Sequence, residues 1–132
     1  AGAGGVGSFA IQFAKWAGAH VVATASGGNE ALVRGLGADE FVNYRTQQFE
    51  EVLNKVDVVL DTIGGDTQER SFALLKSGGR LFSIVGNPDA EKLAAAGSTG
   101  GTFMVQPSSA QLGEIATLRD DGKARVVLDS VF

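Results

Sequence analysis

The first seven residues, Ala1-Gly2-Ala3-Gly4-Gly5-Val6-Gly7, place glycines at 2, 4 and 7, the spacing G-x-G-x-x-G. Such a loop works through what it lacks. Without Cβ atoms the backbone can turn tightly and approach a pyrophosphate closely. A helix opening behind it would present unpaired N–H groups and a partial positive charge to the phosphates. Glycine-rich helix starts also arise where two elements merely pack tightly, so the loop alone leaves cofactor binding and packing both open. The end of the following strand decides between cofactors. NAD sites carry an acid there for the ribose 2′-OH. Here the stretch is Thr24-Ala25-Ser26-Gly27-Gly28-Asn29, with no acid before Glu30. A carboxylate would repel a 2′-phosphate, so its absence favours NADP(H). The alternative is that Ser26 merely begins a turn.

Other single residues read more plainly. Tyr44, the one tyrosine, reads by itself as a partly buried packing residue. Gln48, four residues on, stands where a short-chain dehydrogenase would carry Lys. Asp61 ends an apolar run beside glycines, and its expected role is to accept local backbone N–H bonds rather than to do chemistry. His20 reads as a surface or turn residue, Phe13 and Trp16 as helix packing, and Asp120-Asp121 as a solvated turn. No catalytic acid or base is assigned. With no cysteine and one histidine, thiolate and histidine-rich metal sites are excluded.

The elements that must position these residues follow from periodicity. A helix is expected over 4–17, with Val6, Phe9, Ala10, Phe13, Ala14 and Ala17 on its apolar face and Gly18 as its stop. A strand over 21–24 follows. Next come a helix capped by Asn29 and running to Leu36, a strand over 40–43, and a helix over 49–53 capped by Thr46. The run from Val56 to Leu60 predicts a strand buried on both faces. Asp66 and Glu69 have capping-box spacing ahead of a helix through Phe72, Leu74 and Leu75, which Gly78 and Gly79 end. A strand over 80–85 follows, then a mixed loop over 86–100 and a strand over 102–106. Ser108 or Ser109 caps a helix to Asp121, which Gly122 ends, and a last strand covers 123–128. The alternation defines an α/β protein with a doubly wound (Rossmann) parallel sheet and helices on both faces. In that topology a central strand precedes the glycine loop. This sequence begins at the loop, so it reads as a piece cut from a longer protein.

The 132 residues make one domain's worth of chain, and 11 basic against 15 acidic residues give a net charge of −4. No segment is basic, which excludes an electrostatic footprint for nucleic acid. No apolar run approaches the ~20 residues needed to span a bilayer, and no signal-peptide pattern is present. The absence of cysteine fits a reducing compartment, with the cytoplasm the expected location.

Six motifs, in order, resemble the medium-chain dehydrogenase/reductase superfamily. They are the 1–18 string, Gly18-Ala19-His20-Val21-Val22-Ala23-Thr24-Ala25-Ser26, Leu36-Gly37-Ala38-Asp39-Glu40 with Asn43-Tyr44-Arg45, Val56–Gly65, Leu75–Leu81 and Phe103–Ser108. The zinc-independent quinone oxidoreductase-like branch is the nearest, and the match covers essentially the whole chain. The resemblance implies that 1–132 is the NADPH-binding domain of a two-domain oxidoreductase. Its parent would reduce a quinone or an α,β-unsaturated carbonyl. Carried over residue by residue, Gly4, Gly5 and Val6 would hold the pyrophosphate, and Ser26 and Tyr44 would lie near the 2′-phosphate. Ile63 and Gly64 would lie along the cofactor, Val85, Gly86 and Asn87 at its nicotinamide end, and Phe103 and Val105 near the carboxamide. Gly28 stands where the family often carries Lys or Arg, which leaves Arg45 as the basic substitute. The family's barrel-like catalytic domain, and with it most of the substrate pocket, is not in this sequence. The resemblance also implies a homodimer through an edge strand near 102–106. Competing readings are a non-catalytic nucleotide-sensing or assembly module and a methyltransferase, though the latter wants an acid where Ser26 stands.

Overall fold

A computed structural model describes residues 1–128. The chain forms two compact units, one from Ala1–Thr46 with Gln106 onward and one from Gln47–Val105. Every strand pair is parallel, and helices alternate with strands along the chain. The fold is α/β and Rossmann-like.

In the first unit, α1 (Gly5–Trp16) leads to β1 (Val22–Ala25), α2 (Glu30–Gly35) and β2 (Glu40–Asn43). β1 and β2 pair in parallel from Val22↔Glu40 to Ala25↔Asn43. Ile11, Val21, Ala23, Ala25, Val33, Leu36 and Ala38 form the core between them. Gly18 and Gly37, at φ +82° and +110°, stop α1 and α2 in the left-handed region that glycine tolerates. The buried face of α1 is not the expected one. Ser8, Ile11 and Gln12 are buried, while Val6 and Trp16 are exposed. Gln12 is buried because its amide is fully used. Its Nε2 donates to Ser8 O (3.0 Å) and Arg125 O (3.1 Å), and its Oε1 accepts from Arg125 N–H (2.7 Å). A side chain thus takes the backbone bonds that a strand ladder would have used, and residues 123–128 form no strand. Asn29 stands at the N-cap of α2 without a capping bond. α6 (Ser109–Asp120) starts as expected, with Ser108 Oγ accepting from Gln111 N–H.

The second unit holds α3 (Phe49–Val52), β3 (Val56–Asp61), α4 (Gly65–Ser71), β4 (Leu75–Ser83), α5 (Ala90–Ala95) and β5 (Thr99–Thr102). Its sheet order is β3-β4-β5, packed on a core of Leu75, Leu81 and Leu93 with Val59 and Phe72. Five expectations are corrected here. Gln48, not Thr46, stands at the N-cap of α3. β3 is not buried on both faces, since Val58 is 59% and Leu60 39% exposed. No capping box forms at α4. Its N-cap is Gly64 at φ +78°, and Asp66 and Glu69 pair instead with Arg70 and Lys92. The helix expected to reach Leu75 ends at Ser71, and β4 begins at Leu75. Gly78 and Gly79 therefore lie inside the strand, where the register with β3 shifts between Val56 and Val58. Finally, the strand expected over 102–106 is displaced to Thr99–Thr102. A Cβ on Gly100 would sit 2.0 Å from Leu81 O, so β5 lies against β4 only because that residue is glycine. Beyond it, Met104 and Val105 are 81% and 87% exposed.

Leu81 is fully buried on β4, the middle strand of its sheet. Leu81→Ala is expected to cost ~2–5 kcal/mol of stability, measured as a lowered urea midpoint at unchanged slope.

Candidate functional site

Parallel pairing brings the carboxyl ends of neighbouring strands to one edge, where α/β proteins bind ligands. In the first unit this edge carries the glycine loop. Gly2 N–H donates to Thr24 O (2.8 Å), and a Cβ on Gly2 would meet Ala23 Cβ at 3.1 Å and Ile11 Cδ1 at 3.2 Å. A Cβ on Gly7 would lie 2.1 Å from Ala1 O. These two glycines let α1 start directly beside the loop. Gly4, Gly5 and Val6 are exposed at its tip. The N-cap residue Gly4 offers no side-chain acceptor, and no acid lies in the first turn. The first-turn N–H groups and the positive end of the helix dipole thus remain for an external anion. The space in front of Gly5 is open, with nothing within 4 Å of its Cβ position. This cradle fits a phosphate group.

Ser26 and Tyr44 come together at the ends of β1 and β2. Tyr44 N–H donates to Ala25 O (3.2 Å), and a Cβ on Gly27 would lie 2.9 Å from Asn43 Nδ2. Ser26 does begin a turn, its carbonyl accepting from Asn29 N–H. Its hydroxyl accepts from Asn29 Nδ2 (2.9 Å) and keeps its own proton to donate. Tyr44 is exposed rather than packed, and Arg45 beside it is exposed as well. His20 lies at the surface against Glu40 and Asp39.

The second unit gathers Ile63, Gly64, Val85, Gly86, Asn87 and Phe103 at the ends of β3, β4 and β5, where Asp61, Ser83 and Thr102 stand in register. Ser83 O accepts from Phe103 N–H (3.3 Å) and Thr102 Oγ1 (2.8 Å). A Cβ on Gly64 would touch Val85 Cγ2 at 3.0 Å, so the turns after β3 and β4 are in contact. Val105 lies beyond β5, out in solvent. Asp61 is buried and accepts local backbone N–H bonds as expected, from Ile63 (2.9 Å) and Gly64 (2.8 Å). It also accepts from Gln68 Nε2 (2.7 Å) and Ser83 Oγ (2.9 Å). Burial pushes its carboxyl up, but the Gly64 and Ile63 amides, Gln68 and Ser83 outweigh it and hold the pKa below the ordinary 3.8. Gln68 and Ser83 escaped sequence reading. A strand serine and a helix glutamine carry no motif, and only the three-dimensional meeting with Asp61 marks them.

Among the described residues no group of three or more His, Cys, Asp or Glu could hold a metal ion, and no helix is long and apolar enough to cross a membrane.

With loops of this kind at the carboxyl ends of parallel strands, the architecture is that of a nucleotide-binding α/β protein. The family model described as zinc-binding dehydrogenase matches residues 36–132, and the chain belongs to that family, within the medium-chain dehydrogenase/reductase superfamily. It is 37% identical over 158 residues to the mitochondrial NAD(P)H oxidoreductase RTN4IP1 of Danio rerio, covering 99% of this chain and 41% of that protein. It is 35% identical over 130 residues to the chloroplastic NADPH-dependent alkenal/one oxidoreductase of Arabidopsis thaliana, covering 97% of this chain and 31% of the relative. The crystal structure of Escherichia coli quinone oxidoreductase complexed with NADPH superposes with a TM-score of 0.80 at 28% identity, over 97% of this chain and 46% of that one. The chain thus spans less than half the length of each of these proteins. The family's description carries zinc; among the described residues no cluster of His, Cys, Asp or Glu answers to it. The sequence has no cysteine and one histidine.

The depressed Asp61 pKa predicts an acid-sensitive contribution. It is present in full above the ordinary value of 3.8 and is lost as the pH falls through the lower folded value. Asp61→Asn is expected to lower stability at neutral pH and to flatten the acid limb below pH 3.8. Urea midpoints measured against pH for both proteins check this, and parallel curves would contradict it.

Proposed function

We propose that residues 1–132 form the NADPH-binding portion of a two-domain, zinc-independent oxidoreductase whose parent reduces a quinone or an α,β-unsaturated carbonyl. The observation that carries this reading is the open, uncapped start of α1, backed by Gly2 and Gly7, beside strand ends that offer Ser26, Tyr44 and Arg45 but no acid. The names of the NADPH-dependent alkenal/one and quinone oxidoreductases support the cofactor and the acceptor class.

Each group has a defined task. The Gly4–Val6 start of α1 holds the pyrophosphate, with the N–H groups of Gly5 and Val6 donating while Gly4, whose own N–H is held by Ala1 O, lets the phosphate approach closely. Ser26 and Tyr44 donate hydroxyl hydrogen bonds to the 2′-phosphate, and Arg45 supplies the cation that Gly28 cannot. Ile63 and Gly64 line the dinucleotide, Val85, Gly86 and Asn87 its nicotinamide end, and Phe103 and Val105 the carboxamide. When bound, the cofactor would supply the hydride, and one proton completes the reduction of the acceptor. The chain's own residues orient and desolvate, so none is assigned as a catalytic acid or base. The acceptor is a small molecule; the acidic charge balance supports neither a nucleic-acid partner nor a membrane one. The cytoplasm expected of the parent rests on the cysteine-free composition, whereas two relatives are named mitochondrial and chloroplastic. Self-association uses the β5 edge and the exposed Phe103-Met104-Val105 run, and a dimer mass by light scattering on the natural protein is the expected outcome.

The deciding experiment titrates the natural protein containing this sequence with NADPH and NADH, followed by nicotinamide fluorescence. Saturable binding with NADPH preferred is expected, and a preference for NADH would overturn the 2′-phosphate assignment. Ser26→Asp should weaken NADPH by at least about tenfold, equivalent to ~1.4 kcal/mol, through repulsion of the phosphate, while NADH is spared.

A further inference from the structure

The turns after β3 and β4 bring Ile63, Gly64, Val85, Gly86 and Asn87 to one edge of the second unit, yet little apolar burial holds them there. Ile63 and Val85 are exposed, as are Gly86 and Asn87. Gly64 and Gly65 sit at φ +78° and +54°, in a region that glycine enters freely and also leaves freely. What ties both turns down is one carboxylate. Asp61 Oδ1 accepts from Ile63 N–H and Gly64 N–H, which fixes the first turn. Asp61 Oδ2 accepts from Ser83 Oγ and Gln68 Nε2, and both arms reach on to the second turn. Ser83 Oγ accepts from Val85 N–H (3.2 Å), and Gln68 Nε2 also reaches Gly86 O (3.5 Å). Asp61 and Ser83 are buried, so this network is shielded from competing water.

We propose that Asp61, Gln68 and Ser83 are positioning residues that lock the two turns into a single preformed surface for the nicotinamide half of the cofactor. The inference rests on the dinucleotide reading above. None of the three side chains needs to touch the ligand. They act by setting the main chain of 63–64 and 85–86, so that binding does not have to order it. A protein whose turns are correctly placed only part of the time binds more weakly by that fraction. The effect falls on the nicotinamide half alone. The adenosine half would be held by Gly4–Val6, Ser26 and Tyr44, none of which takes part in this network.

The test uses Gln68→Met, which keeps side-chain length without an amide donor and sits on a partly exposed helix position, and Ser83→Ala, in the natural protein containing this sequence. Two readouts are taken: amide hydrogen exchange of Ile63, Gly64 and Val85 without ligand, and affinities for NADPH and for adenosine 2′,5′-bisphosphate. Faster exchange at these amides is expected, with NADPH weakened about tenfold, as for turns in place a tenth of the time. Affinity for the adenosine fragment should be unchanged. Unchanged exchange, or equal weakening of both ligands, would overturn the positioning role while leaving the dinucleotide reading standing. A wild-type protein that binds neither ligand would overturn both together.

Discussion

Parallel pairing is the constraint on which the rest of this structure depends. Two strands running the same way must end at the same edge, and the chain must leave that edge through a turn into the next helix. That is why Ser26 and Tyr44 become neighbours although 18 residues separate the strand partners Ala25 and Asn43. The same constraint sets Asp61, Ser83 and Thr102 in a row. The edge concentrates backbone groups without ladder partners, and each unit answers that need differently. In the first unit the N–H groups of α1 are left open behind small residues. In the second, a buried carboxylate and a buried hydroxyl absorb them.

Asp61 shows how local chemistry decides the sign of a buried charge. Desolvation alone would favour the neutral acid, but four donors favour the carboxylate more. Glu50 and Arg70 show the opposite economy. The Arg70 guanidinium lies 4.6 Å over the Phe49 ring and 3.4 Å from Glu50, but Glu50 Oε2 and Arg70 Nε are buried without a hydrogen-bond partner. The exposed ion pairs, such as Lys76 with Asp57, are solvated and contribute little to folding.

Much of this fold was legible in the sequence, because glycine and β-branched residues punctuate it strongly. β2 falls on its expected residues, and α1, β1, α2 and α6 fall within a residue or two of theirs, as do the stops at Gly18, Gly37 and Gly122. The failures share a cause. β5 is Thr-Gly-Gly-Thr, a poor strand by propensity, and it forms because glycine alone allows the approach to Leu81. The apolar Phe103-Met104-Val105 run has better propensity but no ladder partner beyond Phe103, and it stays in solvent. The segment 123–128 looked like a strand, yet its Arg125 backbone is satisfied by a glutamine side chain. Of the candidate site, the glycine loop was visible as a motif, whereas Tyr44 by itself read as packing and joined Ser26 only through the family resemblance. The Asp61 network was half visible: its backbone partners follow from an Asp before a glycine turn, but its side-chain partners come from other elements.

The Gln12–Arg125 clasp has a consequence for how the molecule is made. It joins residues 113 apart in sequence, so the first unit is stitched from both ends of the chain while the second is one continuous stretch. Loop closure over such a span is entropically costly and slow relative to local contacts. During synthesis the middle of the chain can finish its three-stranded sheet early. α1 waits, with the Gln12 amide bonded only to Ser8 O within the helix, until residue 125 has emerged. The glycine-led segment is therefore made before the middle of the chain yet is completed after it.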